Sequence, residues 1–218
     1  MATYTVDVYA IFVNGADPKS NFSRVKQDIY KANHAWEGCI KFLLKGVYFS
    51  KGIVNAGTIP ADKVFKNSSI HSLIQSARNA NEHKIGIYVF YLKGDFLAEG
   101  RGKNVIGVSG TEIVNFKSST QYEFFGQILL TDMAANRNTL AHEFGHILFK
   151  RFDKIQNRFI NDDPSGPYIY HQMGRIDPAH NNNRKNLMFP ISPSVNPMVT
   201  LQQCQLAKMS KIVNIRFF

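Results

Sequence analysis

The segment from Thr139 to Lys150, TLAHEFGHILFK, contains the pattern H-E-x-x-H. On an α-helix, residues i and i+4 lie one above the other, so His142 and His146 point in the same direction. Two imidazoles placed in this way can bind one Zn²⁺, and Glu143 then lies beside the water molecule that completes the site. A second stripe of the helix, roughly opposite the histidines, is apolar and comprises Leu140, Phe144, Ile147, Leu148 and Phe152. The segment therefore predicts a helix with one buried face and one metal-binding face.

Strand and helix patterns alternate on the N-terminal side of this helix. Apolar, β-branched and aromatic runs predict strands at residues 4–13, 40–50, 85–92 and 124–131, and a short edge strand at 105–108. Amphipathic spacing predicts helices from Ser20 or Asn21 to about residue 36 and over residues 62–79, and Asp132 or Asn136 is expected to cap the H-E-x-x-H helix. This alternation predicts an α/β fold in which a twisted, mostly parallel sheet lies against the metal helix.

The composition changes after the H-E-x-x-H helix. Residues 153–198 are rich in Asn, Asp, Pro and Gly and lack periodicity, which predicts a long irregular segment. A last helix is expected at about residues 200–213. We expect one domain over residues 1–218, with an upper α/β lobe at about 1–152 and a smaller lower lobe at about 153–218. The cleft between the lobes is the natural position for a metal and a substrate.

Composition and charge narrow the function classes. The 26 Lys and Arg residues exceed the 16 Asp and Glu residues, but they are spread along the chain, which argues against a nucleic-acid binder. No run approaches ~18 apolar residues, so no membrane span is expected. The N-terminus lacks the basic start and apolar run of a secretory signal. We expect either a processed secreted protein or an effector that is delivered by a route without a cleaved signal.

A second motif lies in the irregular segment, where residues 186–190 read NLMFP. This N-x-M-x-P turn resembles the Met-turn of the metzincins, a class of zinc endopeptidases, in which the methionine packs beneath the histidines and binds no metal. The position of Met188 downstream of H-E-x-x-H is similar, as are the order of strands and helices and the segment from Thr200 to Met209. The resemblance implies a metzincin-like upper lobe with two or three helices and a lower lobe that ends in a helix.

The same resemblance implies a zinc-dependent endopeptidase that acts as a monomer on a protein or peptide substrate. In such an enzyme Zn²⁺ activates a water molecule and Glu143 is the general base. The substrate is expected to lie along the edge strand formed by Val105, Ile106, Gly107 and Val108. Two alternatives remain open: an inactive binding protein with the metzincin fold, and a zinc hydrolase whose third ligand is a downstream carboxylate.

The chain departs from the metzincin pattern at the third metal ligand. The pattern H-E-x-x-H-x-x-G-x-x-H requires Gly and His where this chain has Phe149 and Phe152, and Phe152 has no donor atom. The helix is therefore expected to continue past the usual glycine turn, and another residue must supply the ligand. His180 is favoured because it lies eight positions before the Met-turn methionine, and a chain entering that turn passes beneath the metal. Asp153 and His171 are the alternatives.

The chain contains two cysteines, Cys39 and Cys204, which permit at most one internal disulfide. A link between the start of the second strand and the last helix is similar to one found in some metzincins, so the resemblance implies this pair. Two buried thiols are the alternative, because a reducing compartment would keep them apart.

Overall fold

A mixed sheet with helices on both faces forms most of the molecule. The computed structural model describes residues 2–15, 17–98, 104–170, 174–191 and 195–217. Its strands are β1 (Ala2–Val13), β2 (Lys41–Phe49), β3 (Ile87–Leu92), β4 (Gly107–Phe116), β5 (Tyr122–Leu130), β6 (Arg151–Asp153), β7 (Arg158–Ile160), β8 (Tyr168–Tyr170), β9 (Arg175–Asp177) and β10 (Asn214–Phe217). The α-helices of the described residues are α1 (Pro18–Ala35), α2 (Ser68–Ala80), α3 (Thr139–Leu148) and α4 (Leu201–Lys208).

The main sheet is mostly parallel. Neighbouring strands follow the order β10-β1-β3-β5-β4, and β2 also pairs with β1. The pairs β1–β2, β1–β3 and β3–β5 are parallel, whereas β4 and β10 are antiparallel to their neighbours. β4 is the last strand on its side of the sheet. The expected α/β fold with a mostly parallel sheet is confirmed.

The core occupies both faces of this sheet because side chains alternate along each strand. On one face, Val8 and Val89 pack with Ile29 of α1 and Phe144 of α3. On the other face, the next residues along β1 and β3 pack against α2. Every residue of β3 is buried, as its almost continuous apolar sequence predicts. The sheet therefore supports α3 across its apolar side.

The first two helices begin at positions other than those expected. α1 starts at Pro18, and Asp17 is its N-cap, so the expectation of Ser20 or Asn21 at this position is wrong. Proline is favourable at the first helical position because its fixed φ suits the helix and its missing N–H needs no partner there. The range 62–79 contains a short 3₁₀ turn before α2, whose N-cap Asn67 accepts hydrogen bonds from the next backbone N–H groups.

α3, the helix that carries H-E-x-x-H, ends earlier than expected. α3 stops at Leu148, and Phe149 is its C-cap, so the helix does not continue past residue 149. Phe149 is fully buried and its ring lies edge-on to Trp36 at a centroid distance of 6.1 Å. Phe152 belongs to β6, which pairs with β7, and it lies outside the apolar stripe of the helix. Asn138 occupies the N-cap position of α3, where Asp132 or Asn136 was expected.

The edge strand is longer than predicted and is shifted towards the C-terminus. β4 begins at Gly107, so Val105 and Ile106 lie before it. Their carbonyl groups accept loop hydrogen bonds from Leu97 and Thr131, at 2.9 and 3.0 Å, and this loop pairing replaces the expected strand. Gly107 and Val108 are in the strand as predicted.

The C-terminal third contains more regular structure than its composition indicates. The irregular segment includes two short hairpins, β6–β7 and β8–β9. The last helix ends at Lys208 instead of residue 213, and the chain then forms β10, which pairs with β1. No helix in the described part of the chain is long and apolar enough to cross a membrane.

Cys39 and Cys204 form a disulfide, with their Cα atoms 5.3 Å apart. The bond joins the chain just before β2 to α4. The pairing that the metzincin resemblance implies is therefore present in the structure.

Candidate metal centre

The position of α3 is determined by contacts on the side opposite its histidines. Trp36 donates its indole N–H to the carbonyl of Ala141 at 3.0 Å. The ring of Phe42 stacks on Phe144 with a centroid distance of 4.0 Å. These contacts, together with the sheet, hold the helix in one rotation about its axis. His142 and His146 consequently face the segment that follows β9, whereas Glu143 contacts β4.

His180 reaches the helix from that segment. It lies in the turn after β9, and its Nδ1 atom is 2.9 Å from Oδ2 of Asp177. The same carboxylate accepts the backbone N–H of Ala179 at 3.2 Å, which orders the turn. Nitrogen atoms of His142, His146 and His180 all lie within 4.8 Å of one another. The structure thus brings together the three histidines that the sequence analysis selected.

Each histidine has one nitrogen that points away from the space between the three rings. For His142 and His180 this outer nitrogen is Nδ1, and its hydrogen-bond partner leaves Nε2 facing the other histidines. Nδ1 of His142 lies 2.8 Å from the carbonyl oxygen of Leu187, so it carries the proton and donates. Nδ1 of His180 has the Asp177 carboxylate as its partner. Both Nε2 atoms are then free to bind a metal, and such outer partners are typical of metal-binding histidines.

The spacing of the inner nitrogens suits a tetrahedral ion. Nε2 of His142 and Nε2 of His146 are 3.1 Å apart. Two nitrogens at about 2.0–2.1 Å from a tetrahedral Zn²⁺ would lie roughly 3.3 Å apart. Nδ1 of His146 is buried and has no hydrogen-bond partner in the described part of the chain. The donor set fits a metal ion that prefers imidazole ligands, and three protein ligands leave one position open.

Burial keeps the two helix imidazoles neutral. The pKa of His142 falls to about 4, mainly because the ring is buried and also because His180 lies beside it, while the Leu187 carbonyl opposes the change. Burial and the two neighbouring histidines also hold the pKa of His146 well below its usual value. Metal binding requires the neutral imidazole. Both residues are therefore in the metal-binding form at neutral pH.

Glu143 lies between the histidines in sequence and is held from the sheet edge. Ser109 of β4 donates its hydroxyl to Oε2 of Glu143 at 2.6 Å. Burial raises the pKa of the Glu143 carboxyl to about 7, against the opposing effects of Ser109 and His180. A Cβ atom at Gly107 would lie 3.2 Å from Oε1 of Glu143 and 2.6 Å from the Thr139 side chain. Glycine therefore allows the start of β4 to approach α3 closely.

Ser109 was missed by the sequence analysis. The only available signal was its position two residues after Gly107, on the same face of an extended strand. That signal depends on continuing the edge strand beyond Val108, where the predicted strand ends.

Met188 lies directly beneath α3. It is fully buried, and a Cβ atom at Gly145 would overlap its Sδ atom and lie 3.0 Å from its Cε atom. Oδ1 of Asn186 accepts the backbone N–H of Met188 at 2.8 Å, which closes the turn. Leu187, between them, supplies the carbonyl that orients His142. The turn therefore supports the metal-binding face through both packing and a hydrogen bond.

Asp153 and His171 were the alternatives to His180 as the third metal ligand. The Asp153 carboxylate accepts the backbone N–H groups of Ile155 and Gln156, at 2.8 and 3.0 Å, in the turn between β6 and β7. It is not among the groups that surround the centre. His171 lies outside the described residues.

Comparisons with known proteins show the fold alone. No family model matches the chain, and no curated protein matches it. The crystal structure of metalloproteinase-II from Bacteroides fragilis is similar, with a TM-score of 0.54 and 15% identity over 94% of this chain and 52% of that one. This chain thus spans about half the length of that protein. The structure of a chaperone–substrate complex is also similar, with a TM-score of 0.43 and 12% identity over 96% of this chain and 35% of that one.

Proposed function

We propose that this protein is a zinc endopeptidase of the metzincin type. The main support is the convergence of His142, His146 and His180 beside Glu143, above the buried Met188. The fold shared with a metalloproteinase agrees with this proposal. The three Nε2 atoms would hold Zn²⁺ and leave one position for water or substrate.

The metal and the protein have separate roles in this proposal. When bound, Zn²⁺ lowers the pKa of a water molecule from roughly 15.7 to about 7 and polarises a substrate carbonyl. The outer hydrogen bonds of His142 and His180 hold their rings in orientation, with Nε2 directed towards the metal position. Within the described residues, Nδ1 of His146 has no such hydrogen-bond partner.

Glu143 carries a proton from the attacking water to the departing amine. Its Oε2 atom is occupied by the hydroxyl of Ser109, which leaves Oε1 to accept a proton from the attacking water. The carboxylic acid can then protonate the departing amine of the peptide. Ser109 thus positions the carboxylate without taking part in the proton transfer.

The substrate binds in an extended conformation along β4. This strand uses one edge to pair with β5, and no other strand in the described residues pairs with its opposite edge. An added peptide can form main-chain hydrogen bonds with an unpaired edge of this kind. Because Ser109 of the same strand contacts Glu143, a peptide on this edge would pass in front of the general base.

The protein acts outside the reducing cytosol, as a secreted protein or a delivered effector. The support for this is the disulfide between Cys39 and Cys204. Stable disulfides are rare in cytosolic proteins because thiol reductants keep cysteines reduced there.

Replacing Glu143 by alanine tests the mechanism. We expect Glu143→Ala to retain zinc and to lose at least ~10² in kcat, because general acid–base catalysis contributes about 10²–10⁴. Zinc content and cleavage of a broad peptide library would be measured for the variant and for Glu123→Ala, an exposed glutamate on β5.

The possible results separate the candidate functions. Turnover of Glu143→Ala at the unmodified protein's rate would disprove the mechanism. Zinc-loaded protein that binds peptides of the library and cleaves none would favour a binding protein that has kept the fold.

A further inference from the structure

A cavity of about 180 Å³ lies beside the metal centre. It is formed between β4 and the C-terminal end of α3, and His146 is shared between the cavity and the centre. Its other polar side chains are Ser109 and Thr111 of β4, Lys150 just after α3, and Asn161 just after β7. Because Ser109 also contacts Glu143, a group in this cavity would belong to a ligand that occupies the metal centre.

Lys150 is the cation of this cavity. It is partly buried and, within the described residues, forms no ion pair. Burial lowers the pKa of its ammonium group. The guanidinium of the neighbouring Arg151 is engaged in hydrogen bonds with the protein itself, because it donates to the carbonyls of Phe149 and Asp162 at 3.1 and 2.9 Å. A partly buried charge without a counter-ion is unfavourable, and an anionic ligand would remove that cost.

The hairpin β6–β7 lies between two residues of the cavity, Lys150 and Asn161, and packs against the main sheet through aromatic rings. Phe116, at the end of β4, contacts Phe152 and Phe159 at centroid distances of 5.6 and 5.7 Å. Tyr122 contacts Phe159 at 5.0 Å. The ammonium of Lys150 lies 5.6 Å from the centre of the Phe159 ring. This aromatic cluster keeps both Lys150 and the hairpin in place, so the cation is available in a preformed site.

We propose that this cavity binds a carboxylate of the substrate and that Lys150 selects for it. The inference rests on the proposed peptidase function. Thr111 and Asn161 can donate hydrogen bonds to the same carboxylate, whereas the hydroxyl proton of Ser109 is taken by Glu143. The cavity is smaller than the roughly 300–1,000 Å³ typical of small-molecule sites, which suits a single side chain or a chain end.

A peptide has two sources of carboxylate, an Asp or Glu side chain and the C-terminus. Binding to zinc-loaded Glu143→Gln protein distinguishes them, because this variant is expected to cleave slowly. One peptide set places a single Glu or a matched Gln at each position of an otherwise constant, amidated peptide. A second set compares a free C-terminus with an amidated one at several lengths. Calorimetry measures each Kd.

The expected result is a preference for one carboxylate source that depends on Lys150. In one of the two sets, the peptide with the carboxylate should have a Kd about tenfold lower than the matched peptide without it. A tenfold change in Kd corresponds to about 1.4 kcal/mol of binding free energy. The added substitution Lys150→Met should abolish this preference. Lys154→Met removes an exposed lysine in the β6–β7 turn and should leave it unchanged, which controls for the net charge of the protein.

Other results overturn the proposal. The first is equal Kd values for the two members of every peptide pair, and the second is a preference for the carboxylate that survives Lys150→Met. The third is a loss of the preference in Lys154→Met as large as in Lys150→Met. The fourth is that no peptide binds at all. Cleavage by the unmodified protein is measured separately with the same peptides. Cleavage without a carboxylate preference refutes the role of Lys150 alone, whereas a Lys150-dependent preference in binding without any cleavage refutes the peptidase function alone.

Discussion

The three imidazoles of the centre differ in what holds them. His142 is held by the Leu187 carbonyl and His180 by the Asp177 carboxylate. His146 differs from both, because its Nδ1 atom is buried without a hydrogen-bond partner in the described residues. A zinc ion would therefore connect a rigid helical pair to one residue from a distant loop. Each ligand should be essential, since two imidazoles alone form a weak zinc site.

His180→Ala should lose zinc almost as severely as His146→Ala. We expect at least a 100-fold fall in zinc affinity, because even the loss of an outer hydrogen-bond partner costs about 10–100-fold. Asp153→Ala should keep its zinc, because that carboxylate caps the β6–β7 turn. Zinc titration against a competing chelator measures all three variants. Full zinc binding by His180→Ala together with its loss in Asp153→Ala would reassign the ligand.

At Gly145, the effects of local helix propensity and of tertiary packing oppose each other. Glycine to alanine inside a helix usually stabilises a protein by about 0.8–1.0 kcal/mol. Here the added methyl group would overlap Met188, and overpacking typically costs about 1–3 kcal/mol. We expect Gly145→Ala to lower the free energy of unfolding, as measured by urea denaturation. Met188→Ala in the same chain should recover part of the loss, and additive effects of the two substitutions would contradict the packing argument.

At the scale of elements, α4 holds the Met-turn in place. Gln203 is completely buried, and its amide donates to Asp163 at 2.8 Å and to Asn186 at 3.0 Å. Its carbonyl oxygen accepts from the Asn186 amide at 3.1 Å and from the N-cap backbone of Thr200 at 2.8 Å. The helix cap and the Met-turn therefore share one buried polar network.

Gln203→Leu should destabilise the protein by about 2 kcal/mol or more, because a buried polar group left without a partner costs about 1–3 kcal/mol. The substitution removes the hydrogen bonds to Oδ2 of Asp163 and to the side-chain amide of Asn186 together. Gln202→Leu makes the same chemical change at an exposed position of α4 and should have little effect. Urea denaturation of both variants is the measurement. Equal stabilities would show that the network does not hold the turn.

At the scale of the whole molecule, one covalent bond connects the beginning and the end of the chain. Cys39 and Cys204 are separated by 165 residues, and the bond joins the sheet region to the helix that supports the Met-turn. The division into an upper lobe at about 1–152 and a lower lobe at about 153–218 stays a prediction. On that division, the disulfide links the two lobes.

Loss of this disulfide should lower the free energy of unfolding by about 5 kcal/mol in the chain-entropy model, because the closed loop is long. That is a large part of the 5–15 kcal/mol that typically stabilises a domain. Urea denaturation with and without reductant measures the effect, and a Cys39→Ser/Cys204→Ser variant, which should be insensitive to reductant, is the control. Two alkylatable thiols in the unreduced protein, or an unchanged midpoint on reduction, would contradict the expectation.

The sequence by itself determined the features that depend on short-range periodicity. His142 and His146 share a helix face because they are four residues apart, and the apolar run of β3 predicted a strand buried on both faces. The turn around Met188 was predictable for a similar reason, since the residues that form it lie within five positions. In each case the spacing along the chain sets the relation between the side chains, so the tertiary fold could add support without changing it.

Only the tertiary structure decided the features that bring distant segments together. It placed His180, and not Asp153, beside the helical pair, and it brought Ser109 to Glu143. It also ended α3 at Leu148, where Phe149 packs against Trp36, and it returned the last residues to β1 as β10. A segment without periodicity has many paths of similar local energy. Its final path is selected by burial, by the β6–β7 and β8–β9 pairings and by the network around Gln203, none of which neighbouring residues can specify.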